Sequence, residues 1–320
     1  MSVEPTLGLW PLIVRGREGH DRFVTNVRGQ TESGTAAGAA IPTGIVVGID
    51  GSPGSIRALR WAAHRADQFG LIQPVVAWHF PWWAVPVRVE EATERARDEA
   101  EQALATVDGE RRQSLSVIEG PAGPSLVDVG RSASLIAVGS RGRGAAADAV
   151  LGSVSSHVVR HATVPVVVVP ETAPLEDQYH RVVVGVDGSA NSVAALAWAI
   201  RHTPAGSTLE AVLAWSYHLS AYPEAVRMSI ELFEEQANES LDRTLAAATE
   251  AAGGTQREII RRLEYGDPRL VLLHASAEAD LLVLGARGHE GVAHLLVGSV
   301  TTSLVHNPLV TTVVVPVASA

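Results

Sequence analysis

Lysine and cysteine are both missing from this 320-residue chain, and all 25 of its basic side chains are arginine. Without lysine there is no Walker-A phosphate lysine, no Schiff-base lysine and no lysine general base. Without cysteine there are no disulfides, thiolate metal sites or redox thiols, which fits a reducing compartment. No apolar run approaches the roughly 18 residues of a membrane span. The apolar stretch at 7–14 is too short for a secretory core and follows no cationic region. These absences lead to the expectation of a soluble, cytoplasmic protein. An excess of positive charge is lacking too. The 35 acidic residues leave a net charge of -10, which argues against sequence-independent nucleic-acid binding. What remains, 46% hydrophobic and 19% charged, is a globular composition with length for two ordinary domains.

Residues 1–42 show little periodicity and are expected to be a flexible extension, with a small-residue stretch at 34–40. From Gly44 the pattern is regular. Apolar runs at 45–50, 75–78, 115–118, 135–138 and 165–169 read as buried strands, and segments at 53–63, 88–107, 125–133 and 154–161 as helices. Ser52 is a good N-cap and Pro53 a good first helical residue. Alternating strands and helices imply right-handed crossovers and an open α/β sheet. A polar linker at 171–180 follows, and then the pattern returns. Val182 to Ser189 matches Ile45 to Ser52, and Trp198 and Trp215 match Trp61 and Trp78, each 137 residues on. The chain is an internal duplication: a first domain at 43–170 and a second at 181–317.

The segment Gly139 to Ser153 has glycine, two residues, glycine, nine residues, Gly-Ser; Gly285 to Ser299 has the same spacing 146 residues later. The second copy therefore carries nine more residues between its second and fourth strands, placed in a long helix around 223–252. Each motif follows a strand and ends at a helix start, where glycine lets a ligand approach the backbone and free amides favour a phosphate. Open α/β sheets bind ligands beyond the carboxyl ends of their strands. Three features of each copy converge there: the aspartate ending the first strand (Asp50, Asp187), the end of the second (Ala77, Ala214), and the glycine loop. Loop amides and the Ser153 or Ser299 hydroxyl can hold a polyphosphate. The Asp50 or Asp187 carboxylate can accept from ribose hydroxyls or hold magnesium.

On these residues both halves resemble universal stress protein domains, and the whole resembles the tandem-domain universal stress proteins of actinobacteria, over residues 43–317. Both motifs match the ATP-binding branch. The resemblance implies two tandem, Rossmann-like open sheets of five parallel strands in the order 3-2-1-4-5. It implies pairing through the fifth strands, so that the runs at 165–169 and 311–315 join the halves as an intramolecular pseudo-dimer, with a homodimer as a further level of assembly. It also implies ATP with magnesium in each half. Adenine would lie on the backbone of Gly48, Ile49, Ala77 and Val138, ribose or metal at Asp50, and phosphates at Gly139, Gly142, Gly152, Ser153 and Val154. The matching positions in the second half are Gly185, Val186, Ala214 and Leu284; Asp187; and Gly285, Gly288, Gly298, Ser299 and Val300. The function implied is a nucleotide-dependent regulator of stress response, dormancy or growth that engages a protein partner. A slow ATP hydrolase or nucleotidyl transferase, and a nucleotide-free interaction scaffold, are the alternatives.

Other signals carry two readings each. His157 and His161 share a helix face and suggest zinc, but no third ligand accompanies them and the second half offers only His306. His289 and His294 contact phosphate or lie in solvent; Arg141 and Arg287 contact phosphate or form surface ion pairs. Phe80, Trp82 and Trp83 form a partner patch or pack over their own domain. Trp61 and Trp198 read as core. The acid-rich run at 90–101 alternates with arginine as a solvated helix face. No nucleophile elbow, cysteine or lysine supports dedicated catalysis.

Overall fold

Apolar runs of β-branched residues with no polar alternation can only be satisfied by burial on both faces, and that is how the central strands are used. The computed structural model describes residues 44–79, 89–105, 107, 112–142, 151–172, 178–216, 223–288 and 297–316. The N-terminal extension, the Phe80, Trp82 and Trp83 cluster, and His289 and His294 lie outside the described residues.

The first half runs β1 (Ile45–Gly48), α1 (Pro53–Ala63), α2 (Ala66–Phe69), β2 (Ile72–Trp78), α3 (Val89–Leu104), β3 (Ser116–Glu119), α4 (Ala122–Gly130), β4 (Leu135–Gly139), α5 (Ser153–His161) and β5 (Val166–Val169). The second runs β6 (Arg181–Val186), α6 (Ala190–His202), β7 (Thr208–Trp215), α7 (Pro223–Ala251), β8 (Ile259–Tyr265), α8 (Pro268–Ala277), β9 (Leu281–Gly285), α9 (Ser299–His306) and β10 (Thr311–Val315). All ten strands form one sheet in the order β3-β2-β1-β4-β5-β10-β9-β6-β7-β8. Each half is parallel with the order 3-2-1-4-5, and the halves meet antiparallel through their fifth strands, with Val167 opposite Val313. Both fifth strands are buried throughout, so the seam covers what would otherwise be two apolar edges. The described residues from Gly44 on make one compact unit.

Several boundaries differ from expectation for local reasons. β2 begins at Ile72, before Pro74, because the missing proline N–H is tolerated there: β1 pairs with Pro74, but β3 pairs with β2 only from Val75 on. α4 starts at Ala122 rather than 125, since Pro124 falls in its first turn, where no intrahelical N–H is needed. Trp78 pairs with Glu119, and Trp215, 137 residues on, with Tyr265, already 146 on from Glu119. The nine extra residues therefore lie between the second and third strands, the connection containing the 29-residue α7.

The stretch at 171–180 is not wholly a polar linker. Tyr179 is buried, and its hydroxyl accepts a 2.6 Å hydrogen bond from Trp61 Nε1. The Arg65 guanidinium lies over the Tyr179 ring at 4.4 Å and Phe69 stacks on Trp198 at 6.1 Å, so the junction of α1 and α2 holds Tyr179 while the end of α2 packs on α6. One apolar cluster consequently runs under both halves, from Trp61 and Leu59 through Val167 and Val313 to Trp198 and Leu241. On the opposite face are two further clusters, one around Leu126, Val138 and Val158 and one around Leu272, Leu284 and Leu304. On α3, Glu94, Arg97, Asp98 and Glu101 are exposed while Ala100 and Leu104 are buried, as expected for a solvated face over a packed one. Among the described residues no helix is long and apolar enough to cross a membrane.

Candidate functional site

The site is organised by the turn after β1. Gly51 takes φ 73° and Gly188 φ 86°, a left-handed conformation that L side chains adopt poorly, and this reverses the chain directly after the aspartate. The Asp50 Oδ1 then accepts from the Ser52 backbone N–H at 3.0 Å and from the Ser52 hydroxyl at 2.6 Å. Asp187 Oδ1 accepts from the Ser189 N–H at 3.0 Å. Ser52 and Ser189 in turn cap α1 and α6, accepting from the amides of Ser55 and Ser192 at 3.2 Å. Each aspartate is thereby fixed to the first turn of a helix with its carboxylate exposed at the sheet's carboxyl edge.

The glycine loop is tied to that turn. Gly139 packs so closely on α1 that a Cβ would come within 2.4 Å of the Gly54 carbonyl carbon, and a Cβ on Gly142 within 2.6 Å of Asp50 Oδ2. The second half repeats this: Gly285 against Asn191, and Gly288 with 2.6 Å to Asp187 Oδ2. The far end of each loop is closed by a backbone bond, Gly152 N–H to the Ser140 carbonyl at 2.9 Å and Gly298 N–H to the Ala286 carbonyl at 2.8 Å. Ser155 and Thr301 donate to the carbonyls of Gly139 and Gly285, pinning the start of α5 and α9 to the ends of β4 and β9.

Gly152 and Gly298 are different. They are N-caps with φ of −64° and −68°, which any residue adopts. A Cβ there would meet nothing nearer than 3.5 Å at Gly152 and 3.4 Å at Gly298. Neither makes a side-chain cap, so the first-turn amides face outward without one.

All ten residues expected in the first half, from Gly48 to Val154, line one cavity of about 440 Å³. Ser55, Val75, Leu126, Leu151 and Ser155 line it as well. Sequence reasoning passed over these, yet a signal existed: hydroxyls recur in the second half at Ser192 and Thr301, and a leucine at Leu272, on the same offsets. Arg141 also lines the cavity. In the second half the corresponding residues fall at the matching places: Gly185 and Val186 on β6, Ala214 on β7, Leu284 and Gly285 on β9, Gly298 capping α9.

The histidine pair is less simple than its spacing suggested. Paired positions Ile136–Val166 and Leu282–Thr312 keep the 146-residue offset to the chain's last strands, so His306 corresponds to Arg160 and to neither His157 nor His161. Burial first, then the neighbouring charges of His161 and Arg160, holds His157 below the ordinary histidine range. Among the described residues no group of three or more His, Cys, Asp or Glu is gathered as for a metal.

The universal stress protein family model matches residues 43–170 and again 178–316. The chain is 32% identical over 293 residues to the universal stress protein Rv1996 of Mycobacterium tuberculosis, covering 82% of this chain and 92% of that one. It is 33% identical over 278 residues to Rv2623 of the same organism, covering 80% and 91%. Among solved structures, a universal stress protein from Archaeoglobus fulgidus superposes with a TM-score of 0.57 over 86% of this chain and 98% of that one, at 19% identity, a likeness of fold.

Proposed function

Since the chain belongs to the universal stress protein family, we propose that it is a cytoplasmic, nucleotide-dependent regulator of the stress response whose two halves each bind one ATP with magnesium. The observation that carries this reading is the convergence of ten motif residues, drawn from β1, β2, β4, α5 and the turns that follow β1 and β4, on one cavity of about 440 Å³, a size suited to a small organic ligand.

The glycine at each helix N-cap adds to it. Serine, threonine, aspartate or asparagine would stabilise α5 and α9 better than glycine does. Nothing in the protein's own packing demands glycine at Gly152 or Gly298, as the contacts of an added Cβ are ordinary. Glycine keeps the space above the first-turn amides open, and those amides with the helix dipole favour a polyphosphate. Asp50, held at Oδ1 by Ser52 and exposed at the cavity, presents its carboxylate toward ribose hydroxyls or magnesium, which prefers carboxylate oxygen and water. Magnesium would supply charge neutralisation for the phosphates. The reading is one of binding and sensing rather than turnover. A protein partner that distinguishes filled from empty sites requires only that ATP favour one conformation over the other.

Denaturing the purified protein and chromatographing the released nucleotide tests this. ATP approaching one per half, lowered by one site in Gly152→Glu and by one in Gly298→Glu, is the expected outcome. ADP in its place would favour the hydrolase. No nucleotide in the wild type, and none taken up from added MgATP, would leave the scaffold.

A further inference from the structure

Two imidazoles on α5 are left unused by the nucleotide reading. His157 and His161 stand one turn apart on one face, their rings stacked with centroids 4.1 Å and planes 21° apart. His161 Nδ1 lies 2.8 Å from the His157 carbonyl oxygen. A carbonyl can only accept, so Nδ1 carries the proton and Nε2 presents a lone pair. Metal-binding imidazoles are commonly held in this way, the second nitrogen donating to a backbone carbonyl. Neither ring nitrogen of His157 has a hydrogen-bond partner among the described residues. Its ring rests on Gly123 of α4, where any Cβ would come within 2.8 Å of it. His161 is exposed and is the last residue of α5, the helix end whose carbonyls favour a cation.

We propose that His157 and His161 chelate a divalent d-block cation of the kind imidazole prefers, Cu²⁺, Ni²⁺ or Zn²⁺, with water completing its coordination. Bringing both lone pairs onto one ion requires the two rings to turn out of their near-parallel stack about χ2, a soft torsion in histidine. With two protein ligands and the Arg160 charge nearby, the site is open and exchangeable rather than structural. It lies on the helix whose first turn, about 6 Å back along the axis from His157, supplies the amides of the glycine motif. The second half provides an internal control. His306 makes the same Nδ1 contact, to the Thr302 carbonyl at 2.7 Å, but Ser303 and Asn307 occupy the positions equivalent to His157 and His161.

Titration of Cu²⁺ into the EDTA-dialysed, nucleotide-free full chain, followed by calorimetry and electron paramagnetic resonance, tests the site. The expected result is one copper coordinated by two imidazole nitrogens. Its affinity should fall about tenfold or more in His157→Gln and in His161→Gln, and stay unchanged in His306→Gln. Equal affinity in the wild type and the His157→Gln/His161→Gln double variant would overturn the site, as would a spectrum with a single imidazole nitrogen. Thermal unfolding without metal separates loss of the site from loss of the fold. Should His157→Gln fail to fold, His161→Gln, at its exposed position, carries the test alone: a tenfold loss supports the site and an unchanged affinity overturns it.

Discussion

The two halves share their strand order and the backbone that faces the carboxyl edge of the sheet, and differ most in the helices laid over it. In both, an Asp-Gly-Ser turn caps a helix and a loop is closed by one amide-to-carbonyl bond. In both, a glycine with φ near 150° donates to the tryptophan carbonyl ending the second strand, Gly120 to Trp78 and Gly266 to Trp215, each at 2.9 Å. Where only a carbonyl matters the side chain has drifted, Ser140 in one half and Ala286 in the other. Helices over the sheet have drifted further: α3 has 16 residues and α7 has 29, and Pro121 caps α4 where Asp267, bonded to Arg269, caps α8. Duplication has left fixed what positions main-chain donors and one carboxylate, and has left the rest free to pack in its own way.

The sharpest way to break that comparison is to separate the glycines that the protein's own packing requires from those it does not. Gly139→Ala and Gly285→Ala drive a methyl into the backbone of Gly54 and Asn191 and should each cost about 3 kcal/mol in urea unfolding. Gly152→Ala and Gly298→Ala should cost under about 1 kcal/mol, the difference between glycine and alanine as N-caps. Equal costs for the two classes would remove the argument that Gly152 is kept for a ligand. A second contrast lies at the contact the halves do not share. Tyr179→Phe leaves the buried Trp61 Nε1–H without its acceptor and should lower stability by about 2 kcal/mol, seen as a drop in midpoint for both halves together.

His202 extends the comparison to pH. Burial first, and then the Arg201 charge, push it down to about 4 from the ordinary 6.5. The unfolded chain therefore takes up this proton first. The stability due to neutral His202 is complete above pH 6.5 and is lost as pH falls toward 4. Allowing for its partial exposure, that limb should amount to about 2 kcal/mol and be flattened in His202→Leu relative to wild type. The smallest effect sharpens the symmetry itself. Ser52→Ala and Ser189→Ala should each cost about 1 kcal/mol as lost caps, and unequal costs would show that the two turns are not energetically equivalent.

Much of this architecture was legible because burial on both faces leaves strands with no polar alternation, and because the glycine spacing occurs twice. The Ser52 cap, the Gly-Ser helix starts and the core roles of Trp61 and Trp198 followed from local chemistry. What escaped was non-local. Tyr179 sits among polar residues, and its role depends on Trp61, 118 positions away. Ser155 and Leu126 have ordinary local explanations as helix residues, and only the cavity brings them beside Gly139 and Val138. The second strand was expected only from 75 on, and its start before Pro74 depends on a neighbour, β3, that begins pairing a residue later. His306 resembled His161 by residue type, whereas strand register sets it opposite Arg160.

The antiparallel join of Val167 to Val313 also changes how the molecule answers to its own abundance. Two separate chains meeting along such an edge would part on dilution, following mass action. Tethered within one polypeptide, the edges meet as an intramolecular event whose equilibrium is independent of protein concentration. A cell holding a few copies and one holding thousands would thus contain the same paired unit. Because each edge always meets the same unlike partner, a change on one side never has to suit a copy of itself, and Trp61 can come to rely on a tyrosine that the segment joining the halves supplies only once.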